Sequence, residues 1–150
     1  MDYVFAKGNL HLFLAKMTKW IVCFTSHVNT GTWQWFTFWR PKHQHCFVVR
    51  YDTKVKAWIA LECSSRQVNF DILQKKDADE LIRYMVDECE CIEIEVTGKT
   101  VYLPRLMYCV SFVKHIVGIN NIFILTPYHL RCELLKRGGD VIFERIIEEN

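Results

Sequence analysis

A thiol, an imidazole and a carboxylate make a nucleophilic site under three conditions. The sulfur must be held as thiolate, the imidazole must move its proton, and the carboxylate must fix the ring. The chain offers one such set in Cys109, His45 and Glu62. Cys109 falls in the first or second turn of a helix read from Pro104 to Val117. Unpaired backbone N–H groups and the helix dipole there favour thiolate over thiol and can hold an oxyanion. His45 opens one β-rich run, HCFVVRY, and Glu62 closes another, VKAWIALE, across the turn Asp52-Thr53-Lys54. His45 lies seven residues before Asp52 and Glu62 eight after Lys54, so hairpin pairing brings both to one end of a sheet. His43, two residues away, competes with His45 for the role of base. Each group also has a purely structural reading: Cys109 as a small core hydrophobe, His45 as a strand-end histidine in solvent, Glu62 as an edge carboxylate.

Two further clusters invite chemistry. Trp33, Trp35, Phe36, Phe38 and Trp39 crowd the stretch just before His45, followed by Arg40 and Lys42. They are either a core strand or a surface for a flat apolar, sugar or protein partner; Trp33, Trp35, Trp39 and Arg40 are the candidate contacts. Cys89 and Cys91 form C-x-C, and Cys46, Cys63 or a histidine would have to complete a zinc site. The paired ligand spacing of zinc sites is missing, so no metal and no cofactor are expected.

The elements that must position these groups fit one domain, since the chain has 150 residues. Hydrophobic residues make up 51% and charged residues 24%, which excludes intrinsic disorder. The formal charge of +2 is too balanced to propose nucleic acid as the partner. Residues 40–56 are basic and residues 77–95 acidic, which reads as two solvated faces. No secretory signal and no apolar run long enough to cross a membrane is visible. Seven irregularly spaced cysteines then imply cytoplasmic synthesis with free thiols.

Residues 1–16 read as an extension, with Leu10, Leu12, Phe13 and Leu14 available to pack on the domain or dock to a neighbour; residues 17–150 form the domain. Strands are expected at Trp20 to Val28, Trp33 to Arg40 and in the hairpin carrying His45 and Glu62. A helix from Asp77 to Glu88 shows Ala78, Leu81, Ile82, Met85 and Val86 at helical spacing, with Asp77 as cap and Glu80 completing a box-like start. Cys91 to Val96 and Thr100 to Leu103 flank a Thr97-Gly98-Lys99 turn. The helix Pro104 to Val117 should be buried nearly all round and stop at Gly118. A short buried strand, Ile122 to Leu125, leads to a helix capped by Thr126-Pro127 that runs to Lys136 and ends at Gly138-Gly139. Val141 to Ile147 is a last strand. The pattern is α+β: an antiparallel sheet packed against a buried nucleophile helix.

The stretch CVSFVKHIVGI, Cys109 to Ile119, resembles the nucleophile helix of NlpC-type, papain-like cell-wall peptidases. The order His45, Glu62, Cys109 resembles the circularly permuted branch, which includes lecithin:retinol acyltransferase-like and YiiX-like proteins. TPYHL, Thr126 to Leu130, resembles the helix start that often follows the nucleophile helix in that branch. The likeness spans about residues 43–135, with Val110-Ser111 where the family has Ser-Gly and Cys46-Phe47 where it often has a small residue. It implies a permuted papain-like fold and a cysteine hydrolase. Cys109 would attack an amide or ester carbonyl, His45 would move the proton and Glu62 would orient His45. The implied substrates are peptide, peptidoglycan or acyl groups. The resemblance also implies a second reading: a non-catalytic structural or binding subunit on the same fold. One example is a bacteriophage tail or connector component of the virion, assembled through residues 1–16.

Overall fold

The computed structural model describes residues 18–26, 43–64, 67–96 and 107–144. The expected strands at 33–40 and 100–103, the extension 1–16, and with them Trp33, Trp35, Trp39 and Arg40, lie outside the described residues. In chain order the elements are β1 (Thr18–Thr25), β2 (His45–Asp52), β3 (Ala57–Cys63), β4 (Val68–Leu73), α1 (Lys75–Glu88), β5 (Cys89–Val96), α2 (Cys109–Val117), α3 (Pro127–Lys136) and β6 (Asp140–Phe143). Among the described residues the strands form one six-stranded sheet in the order β4-β3-β2-β1-β5-β6. Every neighbouring pair runs antiparallel, so the class is α+β.

The sheet is covered on both faces, which explains why its central strands are continuously apolar. Successive side chains point to opposite faces. On one face Val22, Phe24, Cys46, Val48, Ile92 and Ile94 pack with Val110, Val113 and Val117 of α2 and Leu130 and Leu134 of α3. On the other, Cys23, Phe47, Val49, Cys89 and Cys91 pack with Met85 of α1. Burial of each large apolar side chain contributes about 2 kcal/mol, so α2 is pinned to the sheet by Val110, Val113 and Val117 together. Among the described residues no helix is long and apolar enough to cross a membrane.

Several boundaries differ from the sequence reading, each for a local reason. The β2–β3 turn runs on to Lys56, whose φ of 53° is left-handed, so β3 starts at Ala57 and not at Val55. Asp52 stabilises that turn by accepting the backbone N–H groups of Lys54 (2.9 Å) and Val55 (3.4 Å). Strand β4 was not expected, although Val68, Asn69, Phe70, Asp71 and Ile72 alternate as a strand does. Helix α1 begins at Lys75 after an N-cap at Gln74, which puts Asp77 inside the first turn instead of at the cap, and Val86 turns to solvent. Helix α2 begins at Cys109, with Tyr108 as extended N-cap, and not at Pro104. The expected buried strand at Ile122 to Leu125 is an exposed turn: Phe123 is 78% exposed and only Ile124 is buried. Asn121 Oδ1 accepts the Phe123 N–H at 3.0 Å, a local bond that competes with ladder pairing. Within the described residues β1 stops at Thr25 and β6 at Phe143, both short of the expected ends.

Candidate functional site

The site grows from the start of β2. Pairing with β1 matches Thr25 to His45 and Phe24 to Cys46, which fixes the first two residues of β2 against a central strand. Pairing with β3 matches Val48 to Leu61, which carries Glu62 toward the same end of the sheet. Glu62 Oε1 lies 2.8 Å from His45 Nε2. Strand β4 contributes a third member, because Glu62 pairs with Asn69 and the Asn69 amide donates to Glu62 Oε2 at 3.4 Å. The carboxylate is thus held from both sides.

Helix α2 brings the sulfur. Cys109 is its first residue, followed by Val110 and Val113, both with no exposed surface. The helix start is fixed by Ser111, whose hydroxyl accepts the Tyr108 N–H at 2.9 Å and donates to the Tyr108 carbonyl at 2.9 Å. The helix stops at Gly118, left-handed with φ 72°, where a side chain would be strained. Cys109 packs against the cluster that contains Cys46, and it meets both leading residues of β2. The Cys46 thiol and the Cys46 backbone N–H each hydrogen-bond to the Cys109 sulfur, and the His45 ring does the same. Glu62 occupies Nε2, which leaves Nδ1 as the ring nitrogen for the sulfur.

The electrostatics follow from these contacts. The Cys46 thiol hydrogen bond, opposed by burial and aided by the His45 hydrogen bond and charge, holds Cys109 well below the usual thiol range. Burial of the His45 ring opposes its charge. The hydrogen bonds to Cys109 and Glu62, and the negative charge on both, outweigh that burial and raise the imidazole to about 9. Glu62 is lowered, first by the hydrogen bond from His45. Cys46 is pushed well up by burial and by the neighbouring sulfur charge. The arrangement sets the Cys109 sulfur beside the His45 ring, with a carboxylate behind the ring and the first turn of a helix at the sulfur, and these contacts favour charge on both partners. Such a constellation can attack a carbonyl carbon and return a proton to the leaving group.

His43 and His45 separate cleanly. The His43 ring nitrogen Nε2 lies 2.7 Å from Glu90 Oε2, and Arg131 Nε donates to Glu90 Oε1 at 2.6 Å. The His43 ring also stands against Phe24 and Tyr128, so it joins β5 to α3 and not to Cys109. Cys89 and Cys91 form a separate buried sulfur cluster with Cys23, the Cys91 and Cys23 sulfurs lying 3.4 Å apart. Burial pushes Cys23 up; hydrogen bonding within the cluster, then burial, pushes Cys89 and Cys91 up. Among the described residues no group of His, Cys, Asp and Glu is assembled to hold a metal ion.

Cys109, His45 and Glu62 therefore converge. Asn69 and the donor role of Cys46 escaped the sequence reading. The alternation in VNFDIL was the signal for Asn69, because it assigns a strand beside β3 and an amide opposite Glu62. Compared with protein-family models, with curated proteins and with solved structures, the chain finds no match.

Proposed function

We propose that the protein is a cysteine hydrolase performing thiol acyl chemistry on amide or ester bonds, built as a permuted papain-like (NlpC-type) domain. The observation that carries this reading is the meeting of Cys109 with His45 while Glu62 holds the opposite ring nitrogen at 2.8 Å. Cys109 attacks the acyl carbonyl as a thiolate. The first N–H groups of α2 face the developing oxyanion. His45 gives its proton to the leaving amine or alcohol, and the acyl group remains on sulfur. Neutral His45 then takes a proton from water, which attacks the thioester and releases the acid. Glu62, supported by Asn69, keeps Nδ1 turned to the sulfur through both halves. Peptides, including the cross-linking peptides of cell walls, and acyl esters are the substrate classes.

The test is site-resolved labelling followed by turnover. Cys109 is expected to react with iodoacetamide at neutral pH at least about tenfold faster than the other thiols, because thiolate fraction sets the rate. Cys109→Ala is expected to abolish hydrolysis across a panel of peptides, peptidoglycan fragments and activated esters while leaving the fold intact. Similar slow labelling of all seven thiols rejects this function.

A second reading, a non-catalytic subunit of a larger assembly such as a virion tail or connector, is favoured by exposed apolar side chains. Phe70 and Ile72 on β4, and Ile122 and Phe123 before α3, stand in solvent. Comparing the size of the full chain with that of a chain lacking residues 1–16 separates the readings. A monomer in both cases argues against assembly.

A further inference from the structure

Cys46 belongs to the buried cluster of the sheet against which Cys109 packs, and it neighbours the Cys109 sulfur. The mechanism uses its thiol only as a donor, yet a second sulfur at a nucleophilic one has chemistry of its own. Cys46 has no exposed surface, whereas Cys109 remains partly open. A small oxidant therefore meets Cys109 first. We propose that Cys109 is an oxidation site for hydroperoxides and that Cys46 is its resolving thiol, the two closing into a reversible disulfide that switches the nucleophile off. This rests on reading Cys109 as a nucleophilic thiolate.

The steps balance. The Cys109 thiolate attacks the distal oxygen of a hydroperoxide, the O–O bond breaks, and the leaving oxygen takes the proton of the His45 imidazolium. The products are the Cys109 sulfenic acid and an alcohol, or water when the oxidant is hydrogen peroxide. The Cys46 sulfur then attacks the Cys109 sulfur, the S–O bond breaks, and the Cys46 proton leaves with the hydroxyl as water. Two thiols lose two electrons and the peroxide bond gains them. Burial and the adjacent negative sulfur keep Cys46 protonated beforehand, so it does not compete for the oxidant. Cys63 is the other thiol near the site, but its Sγ is directed to the Ser64 carbonyl at 3.5 Å. The disulfide would occupy the nucleophile without further oxidation, and a thiol reductant would restore it.

Purified full-length protein treated with one equivalent of hydrogen peroxide is the test. Intact mass should fall by about 2 Da, and a non-reducing peptide map should join Cys46 to Cys109. Iodoacetamide labelling at Cys109 should drop at least about tenfold and return with dithiothreitol. In Cys46→Ala the mass should instead rise by about 16 and then about 32 Da, and dithiothreitol should no longer restore labelling once sulfinic acid has formed. Linkage of Cys109 to Cys63, or sulfinic acid in the wild type as fast as in Cys46→Ala, overturns the proposal. If Cys46→Ala fails to fold, the wild type alone decides, by whether disulfide or sulfinic acid accumulates. Labelling of the untreated protein keeps the two ideas apart. Fast labelling of Cys109 without a disulfide sinks only the resolving role, whereas slow labelling sinks the hydrolase reading as well.

Discussion

Replacing Glu62 by Gln should lower the protonation midpoint of His45 by about one pH unit. The ring is raised from 6.5 to about 9 against the opposing effect of its burial, by Cys109 and Glu62 together. Two unit charges about 4 Å apart interact by roughly 4 kcal/mol at an effective dielectric of 20. Glu62 has 44% of its side chain in solvent, which screens that figure to about 1–2 kcal/mol. At 1.36 kcal/mol per pH unit, about one unit follows. Gln keeps an acceptor at the 2.8 Å position and removes the charge, so geometry is conserved while electrostatics changes. The assay is a chemical-shift titration of ring-labelled histidine, with His45 assigned by its absence from His45→Gln. The expected midpoints are about 9 in the wild type and about 8 in Glu62→Gln, with Cys109→Ala also lowered because the sulfur charge is gone. Hydrolysis should follow, losing its alkaline limb one pH unit earlier in Glu62→Gln, because His45 must be charged to protonate the leaving group. A wild-type midpoint near 6.5, or one that Glu62→Gln leaves unmoved, refutes the coupled triad.

Three other substitutions probe what holds the helices to the sheet around the site. Ser111→Ala removes the acceptor of the Tyr108 N–H and should cost about 1 kcal/mol in urea unfolding. It should also slow Cys109 labelling, because the helix start loosens. Glu90→Gln leaves Arg131 and His43 without their shared carboxylate and should cost about 3 kcal/mol, seen as a melting-temperature drop of roughly 6–12 °C. The Glu90 carboxyl is held below its usual value by His43 and Arg131 in spite of burial. The wild type therefore has this stabilisation above about pH 4.5 and loses it as pH falls further, a loss missing from Glu90→Gln. Gly139→Ala would bring a methyl group to 2.8 Å from Ile92 Cγ2 and 3.0 Å from the Leu134 carbonyl, which should cost about 1–3 kcal/mol in thermal unfolding.

How much of this was legible in the sequence depended on the range of the signal. The hairpin that pairs β2 with β3 follows from two β-rich runs and a polar turn, so the nearness of His45 and Glu62 could be counted along the chain. Cys109 came from position at a helix start, and the true start is closer to it than the proline rule suggested. Proline suits a first turn, but Ser111 and Tyr108 set the cap here. The choice between His43 and His45 was open in one dimension, because only packing against β5 and α3 gives His43 its own carboxylate. Ile122 to Leu125 misled because apolar residues in a short run read as buried; a side-chain bond from Asn121 turns the chain outward instead. Contact between Cys46 and Cys109 depends on how α2 lies across the sheet, which no local spacing encodes.

His45 and Cys46 are joined by one peptide bond, and both address the same sulfur. The imidazole and the second thiol that meet Cys109 therefore come from neighbouring residues at the start of one central strand. Their backbone positions are tied together, so the seating of α2 on that strand decides how both reach the sulfur. Under the proposed chemistry, the chain can change what lies in front of Cys109 while this local pairing is kept.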